Sequence, residues 1–375
     1  MEAGLTRSPL QWRGFRSLAV SVQRNTVYGL LPFPSDTRYC ESALVGVNIY
    51  YVREALYDNF TFTDNILNIQ LTQHSHTMAD AIPQQAAYTF QDGVSAVKNG
   101  SSLSDTTQRL LKSLTRSERL LLLDGDERFW TGLTSMLAGR YNSVPYSMGT
   151  IDRLGVPGVR FSDGPCGIVV GNSTAFPVSM ARGATWDVDL ERRIGRAIGK
   201  EGRAQGANFY AGVCVNLPRH PAWGRIQETY SDDPLLLGEF GLALAQGVQE
   251  QIMACVKHFA LNSMENARFQ VDIQVADDVL HEVYLPHFRR IVEGGVASVM
   301  SAYNAINGEW CGQNRKLLIE ILRDDWRFDG FTMSDFVFGF RDAPLSVKNG
   351  LDVEAPFSQQ RAMHLEKALQ SGELD

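Results

Sequence analysis

Four places in the sequence put polar or charged side chains directly behind a short apolar run. They are Ser162-Asp163 after Val159-Arg160-Phe161, Lys257-His258 after residues 253–256, Ser301-Ala302-Tyr303 after residues 296–300, and Ser334-Asp335 after Phe331-Thr332-Met333. A carboxylate can accept two hydroxyl hydrogens or act as a nucleophile, and an ammonium, an imidazole and a phenol can donate to the same substrate. Taken singly, each residue also has an ordinary structural role. Asp335 reads equally as a helix cap or turn residue, Asp163 as the corner of an Asp-Gly-Pro turn, His258 as a buried structural histidine and Tyr303 as strand-end packing.

The elements that must position these groups are parallel β/α units. From about Pro157 onward, β-rich runs alternate with amphipathic helices. Val213-Cys214-Val215 and Leu351-Asp352-Val353 complete the set of candidate strands. Asp187 can cap a helix with Leu190, Ile194 and Ile198 on one face, and a second helix is expected from Asp278 through Ile291 to a glycine stop at Gly294-Gly295. A third begins after Asn314 with Leu317, Leu318, Ile321 and Leu322, and Thr115-Arg116-Ser117-Glu118 reads as a capping box opening a helix through residues 120–123. The polar residues then sit at carboxyl ends of parallel strands, where barrel enzymes place their chemistry. A doubly wound sheet is the alternative architecture.

Ordered along the chain, several blocks resemble glycoside hydrolase family 3 β-glucosidases over roughly residues 114–356. They are Leu154-Gly155-Val156-Pro157-Gly158-Val159-Arg160-Phe161-Ser162-Asp163-Gly164-Pro165, Trp223-Gly224-Arg225 with Glu228 and Asp232-Asp233-Pro234, Lys257-His258-Phe259-Ala260-Leu261-Asn262, Met300-Ser301-Ala302-Tyr303-Asn304 and Met333-Ser334-Asp335. The resemblance implies an α/β fold, a TIM-type (β/α)8 barrel, preceded by an N-terminal extension over residues 1–105. The barrel itself is expected over 106–357, and 358–375 as the start of a linker to a further domain. It implies a retaining mechanism in which Asp335 attacks the anomeric carbon and forms a glycosyl ester. Asp163 is then the acceptor of sugar hydroxyls, Lys257 and His258 the hydroxyl-holding pair, and Arg225 and Arg268 sugar-contacting or carboxylate-orienting arginines. Tyr303 matches the tyrosine that hydrogen-bonds the nucleophile. Phe336 stands where many relatives have Trp, which keeps an apolar wall and removes an indole donor. Trp130 and Trp223 are available to stack on sugar rings.

The resemblance breaks at the acid/base. A retaining glycosidase needs a second carboxyl group about 5 to 5.5 Å from the nucleophile, and Glu228, Glu265 and Glu354 match no acid of the family. Two-domain relatives take it from a following sandwich domain. Single-domain N-acetylglucosaminidases use a His in a longer loop, and Phe259-Ala260-Leu261-Asn262 is not of that type. The expected substrate is a β-glucoside or oligosaccharide, with a xyloside, an N-acetylhexosaminide or a non-catalytic sugar-binding role as alternatives. No cofactor or metal is called for. The formal net charge of −7 and the lack of a basic stripe argue against nucleic acid. No apolar stretch approaches the roughly 18 to 20 residues that span a bilayer, and the first 30 residues, with Arg7, Arg13, Arg16 and Arg24 spread through them, lack a signal-peptide apolar block, so a cytoplasmic location without membrane partners is expected. The five cysteines are widely spaced and read as reduced, packed thiols.

Overall fold

The computed structural model describes residues 87–374. Cys40, the stretch read for a signal peptide and most of the expected extension lie outside the described residues. The described chain opens with three helices, α1 (Phe90–Lys98), α2 (Leu103–Ser113) and α3 (Arg116–Leu121). Thr115 and Glu118 form the expected capping box, with the Glu118 carboxylate accepting from Thr115 N at 2.9 Å. The helix they open stops at Leu121, short of Leu122 and Leu123. The domain boundary expected after residue 105 falls inside α2, so it does not separate two structural units. A further helix, α4, spans Phe129–Leu137.

Six strands form the main sheet: β1 (Tyr146–Ile151), β2 (Val156–Ser162), β3 (Phe209–Cys214), β4 (Met253–Phe259), β5 (Ser298–Ser301) and β6 (Phe331–Met333). They lie side by side in chain order, without the reversal of strand order that marks a doubly wound sheet. From β2 to β6 every pairing is parallel, and β3 is buried along its whole length, as a sheet covered on both faces demands. β1 corrects the expectation of parallel units only. It runs antiparallel to β2 through a tight turn over Asp152–Leu154, closed by Gly155 at φ 66°.

The sheet is curled, and hydrogen bonds reach both of its edges. Met333 in β6 bridges Val353, so Leu351-Asp352-Val353 contributes a bridge and not a full strand. Glu354 N donates to Leu123 O at 2.9 Å, Glu127–Arg128 pairs in parallel with Phe357–Ser358, and Gly125 bridges Met148 in β1. Residues 360–370, expected to begin a linker, form helix α8 (Gln360–Gln370) instead, with Arg361, Leu365 and Ala368 buried. This helix packs against the helical turn Ala343–Lys348 and α3, and Arg361 donates to the carbonyls of Leu123, Leu351 and Asp352, so these residues belong to the folded domain.

Outside the sheet pack α5 (Val188–Ala204), capped by Asp187 through Leu190 N, and α6 (Pro234–Gln249), capped by Asp233 with proline at its first position. These two helices touch backbone to backbone, because a Cβ on Gly195 would lie 2.5 Å from Leu244 O and one on Gly247 would lie 2.2 Å from Arg192 O. The continuous helix expected from Asp278 to Ile291 is broken. A wide-pitch turn over Leu280–Tyr284 ends at Leu285, and α7 (Pro286–Glu293) restarts there, since Pro286 has no N–H to continue the ladder. Its glycine stop is as expected, with Gly295 at φ 86°. The helix after Asn314 covers Lys316–Asp325 and buries Leu317, Leu318, Ile321 and Leu322. No helix among the described residues is long and apolar enough to cross a membrane.

Candidate active site

The carboxyl ends of β2 to β6 bring Asp163, Lys257, His258, Tyr303 and Asp335 together, and the turn at Ile226–Glu228 adds Arg225. The loop carrying Asp163 is pinned from below. Tyr210 donates to Gly164 O at 2.6 Å and Arg182 to Pro165 O at 3.1 Å. Arg182 is itself buried 3.0 Å from the Glu191 carboxylate of α5, which also accepts from Tyr230 at 2.7 Å.

Asp163 is the more heavily engaged of the two central carboxylates. Its Oδ1 accepts from Lys257 Nζ at 2.5 Å and Gly164 N at 2.8 Å, and its Oδ2 from the Tyr141 hydroxyl at 2.6 Å. Burial works against its charge, but the Lys257 ammonium and these hydrogen bonds outweigh burial and hold the carboxyl below the usual aspartate range. Lys257 is likewise buried, and Asp163 more than offsets the burial, raising the ammonium's pKa so that it stays charged.

Asp335 differs in each respect. Its Oδ1 accepts from Phe336 N at 2.7 Å, while Oδ2 is buried with no hydrogen-bond partner among the described residues. Burial raises its pKa, and Arg268, Arg225 and Lys257 pull it down without cancelling the rise. Both arginines are already occupied by other carboxylates. Arg225 donates twice to Glu228 Oε2, at 3.0 and 2.7 Å, and Arg268 lies 3.0 Å from Glu265 Oε2. Glu265 Oε1 also accepts from Trp223 Nε1 at 3.0 Å, so the buried Trp223 is a donor that orients Glu265. Trp130, in contrast, is largely exposed on α4.

His258 is neutral. Burial, then the charges of Arg225, Lys257 and Arg268, push its pKa well below the usual histidine value. Arg225 donates to Nε2 at 2.9 Å, so the ring hydrogen is on Nδ1, where Asn216 Oδ1 accepts it at 3.1 Å. Its 3.6 Å approach to Asp335 Oδ2 is therefore no ion pair. Lys257 and His258 reach the same site although β4 continues to Phe259, whereas strand alternation alone required the strand to end by Lys257. The pairing with β5 shifts register between Val256 and Phe259, which breaks the alternation there.

Tyr303 and Phe336 take up places beside Asp335. The Tyr303 hydroxyl donates to Phe336 O at 2.6 Å and lies against the Asp335 carboxylate; burial, then the charge of Asp335, raise its pKa well above the usual tyrosine value. Arg268 covers the Tyr303 ring at 4.4 Å. Phe336 packs on Phe161, with ring centroids 4.7 Å apart, and meets Tyr141 and Tyr146 edge-on. Glu354 is remote from this chemistry in role: its oxygens accept from Gln360 N and Arg361 N at the start of α8. Tyr141 and Asn216 were not anticipated: Tyr141 precedes the expected strands, and Asn216, which directly follows the expected strand Val213-Cys214-Val215, belongs to none of the blocks that carry the resemblance. A separate hollow of about 350 Å³ lined by Asn307, Lys316 and Glu320 includes none of these residues.

The comparisons with known proteins identify the family. The family model described as the glycosyl hydrolase family 3 N terminal domain matches residues 147–375. Beta-glucosidases of Rhizobium radiobacter and Kluyveromyces marxianus are each 38% identical over 66% of this chain, which spans 29% and 28% of their lengths. The structure of beta-glucosidase 3B from Thermotoga neapolitana in complex with glucose superposes with a TM-score of 0.66 at 34% identity, covering 72% of this chain and 40% of that one. Beta-glucosidase from Kluyveromyces marxianus in complex with glucose gives 0.62 at 35% identity, over 71% of this chain and 31% of that one. The chain thus spans less than a third of those two curated relatives, and over that span it belongs to glycosyl hydrolase family 3.

Proposed function

We propose that the chain carries the sugar-binding and nucleophilic half of a retaining β-glucosidase, built on a barrel of the (β/α)8 type. The hydrogen bonds that join both sheet edges through residues 123–128 and 351–358 support the barrel. One observation carries the mechanism. Of the two carboxylates, the partly buried Asp163 has both oxygens engaged by donors, and the buried Asp335 keeps one oxygen without a hydrogen-bond partner among the described residues. The first is fitted to hold hydroxyls and the second to attack. Asp335 Oδ2 adds to the anomeric carbon as the glycosidic bond breaks, giving a glycosyl ester and a departing oxygen that needs a proton. Lys257 and Arg225 fix the glycone, and Phe336 walls its apolar face.

The proton donor comes from outside the described residues in this reading. Glu228 and Glu265 are each tied to an arginine, and the one N–H of the His258 ring is directed at Asn216. Incubation with a 2-deoxy-2-fluoro-β-glucoside followed by peptide mass spectrometry tests the assignment. The adduct is expected on the peptide containing Asp335 and should be absent from Asp335→Asn, which keeps the shape but loses the anion. An adduct on Asp163 would reverse the two roles. No adduct in a protein that still binds glucose would favour a non-catalytic sugar-binding barrel.

A further inference from the structure

We propose that Tyr141 is a glycone-binding residue whose phenolic oxygen works with Asp163 Oδ2 as a pair of adjacent acceptors for two neighbouring sugar hydroxyls. The proposal rests on the glycosidase reading above.

The argument is one of hydrogen-bond capacity. A carboxylate offers about four lone-pair positions. Three on Asp163 are taken, by Lys257 Nζ at 2.5 Å, Gly164 N at 2.8 Å and the Tyr141 hydroxyl at 2.6 Å. Asp163 can therefore accept one sugar hydroxyl, on Oδ2, and not two. Tyr141 has spent its single hydrogen on the same oxygen, so its own oxygen faces any further hydroxyl as an acceptor. Two acceptor atoms 2.6 Å apart suit the two donors of a vicinal diol.

The phenol is held to this duty. Burial, followed by the Asp163 charge, raises its pKa well above the usual tyrosine value, so it remains a donor to Asp163 throughout the neutral range. Its ring stands edge-on to Phe336, with centroids 6.5 Å apart at 82°, which places it on the wall next to the nucleophile. The one-turn segment that carries it, Arg140–Asn142, is tied to the Asp163 loop by two bonds of Asn142. Its carbonyl accepts from Gly171 N at 2.9 Å, and its side-chain amide donates to Val169 O at 3.2 Å. Val169 N in turn donates to Asp163 O at 3.2 Å, so turn and loop move as one piece.

The test is calorimetric binding of methyl β-D-glucoside and its 3-, 4- and 6-deoxy analogues to the 375-residue chain and to Tyr141→Phe, which deletes one oxygen and keeps the ring. Tyr141→Phe should weaken the parent glucoside by roughly five- to tenfold, the worth of one hydrogen bond. For one deoxy analogue, the one missing the hydroxyl that Tyr141 accepts, wild type and variant should bind alike. Equal affinity for the parent would overturn the proposal. So would an equal loss across all four ligands, which marks a purely structural role. Failure of the wild type to bind any of them would instead overturn the glycosidase reading itself.

Discussion

Two aspartates that feel the charge of the same lysine end up with opposite electrostatics, and the cause is the count of donors on each. Lys257, Gly164 and Tyr141 stabilise the Asp163 anion, whereas Asp335 has one backbone donor and must rely on arginines already paired to glutamates. A carboxylate whose pKa is raised keeps more of its nucleophilicity, at the cost of being protonated sooner as pH falls. The rate of Asp335 labelling by a fluoroglucoside should therefore decline on the acid side at a pH above the ordinary aspartate range. Arg268 is the largest of the charges holding Asp335 down, so Arg268→Met should move that limb further up. A limb that stays put or falls would remove Arg268 from the electrostatics of the nucleophile. At this scale the sequence reveals identities better than pairings. Asp335, Asp163 and Lys257-His258 are legible because they end apolar runs in a recognisable order. Tyr141 with Asp163, Asn216 with His258 and Trp223 with Glu265 are not, because those contacts join residues 22, 42 and 42 positions apart.

The elements show the same division between local and distant causes. Asp187 and Thr115 announce their helices because a cap acts within three residues. The β1–β2 hairpin and α8 escaped notice, since what fixes them is pairing across the sheet closure. That closure contains a second pair of buried carboxylates. Glu354 and Asp124 both face the first turn of α8, and Arg361 does not neutralise them directly, because its guanidinium donates to the carbonyls of Leu123, Leu351 and Asp352. Burial, then the Asp124 charge, raise the Glu354 pKa to about 8, and burial likewise raises Asp124. The folded state thus holds a proton that the unfolded chain releases at the ordinary glutamate pKa. Stability from this pair is complete below that value and is lost as pH rises toward 8. Urea unfolding at pH 5.5 and 8.5 should show the chain losing stability on the alkaline side, and Glu354→Gln, which cannot ionise, should flatten the difference. An unchanged pH dependence in that variant would assign the alkaline loss to other groups.

For the molecule as a whole, the arrangement separates two halves of a chemical step. Residues 147–375 match the family's N-terminal domain, and the other carboxylates described around the site are engaged, Asp163 by Lys257 and Glu228 and Glu265 by arginines. On the proposed reading, the described residues supply the attacking carboxylate and the proton for the leaving oxygen comes from elsewhere. General acid catalysis contributes about 10²- to 10⁴-fold, so its absence should be felt only by substrates that need it. Cellobiose and alkyl glucosides, with basic leaving oxygens, should be nearly inert toward the purified chain. Dinitrophenyl glucoside, whose leaving group departs unprotonated, should still glycosylate Asp335 and give a burst of dinitrophenol. The ester should then persist, because the group that would protonate the leaving oxygen is also the one that activates water in the second step. Azide is an anion and needs no such base, so it should accelerate turnover after the burst without enlarging the burst itself. Efficient cellobiose hydrolysis by this chain would defeat the argument, and would place a working acid/base within its 375 residues.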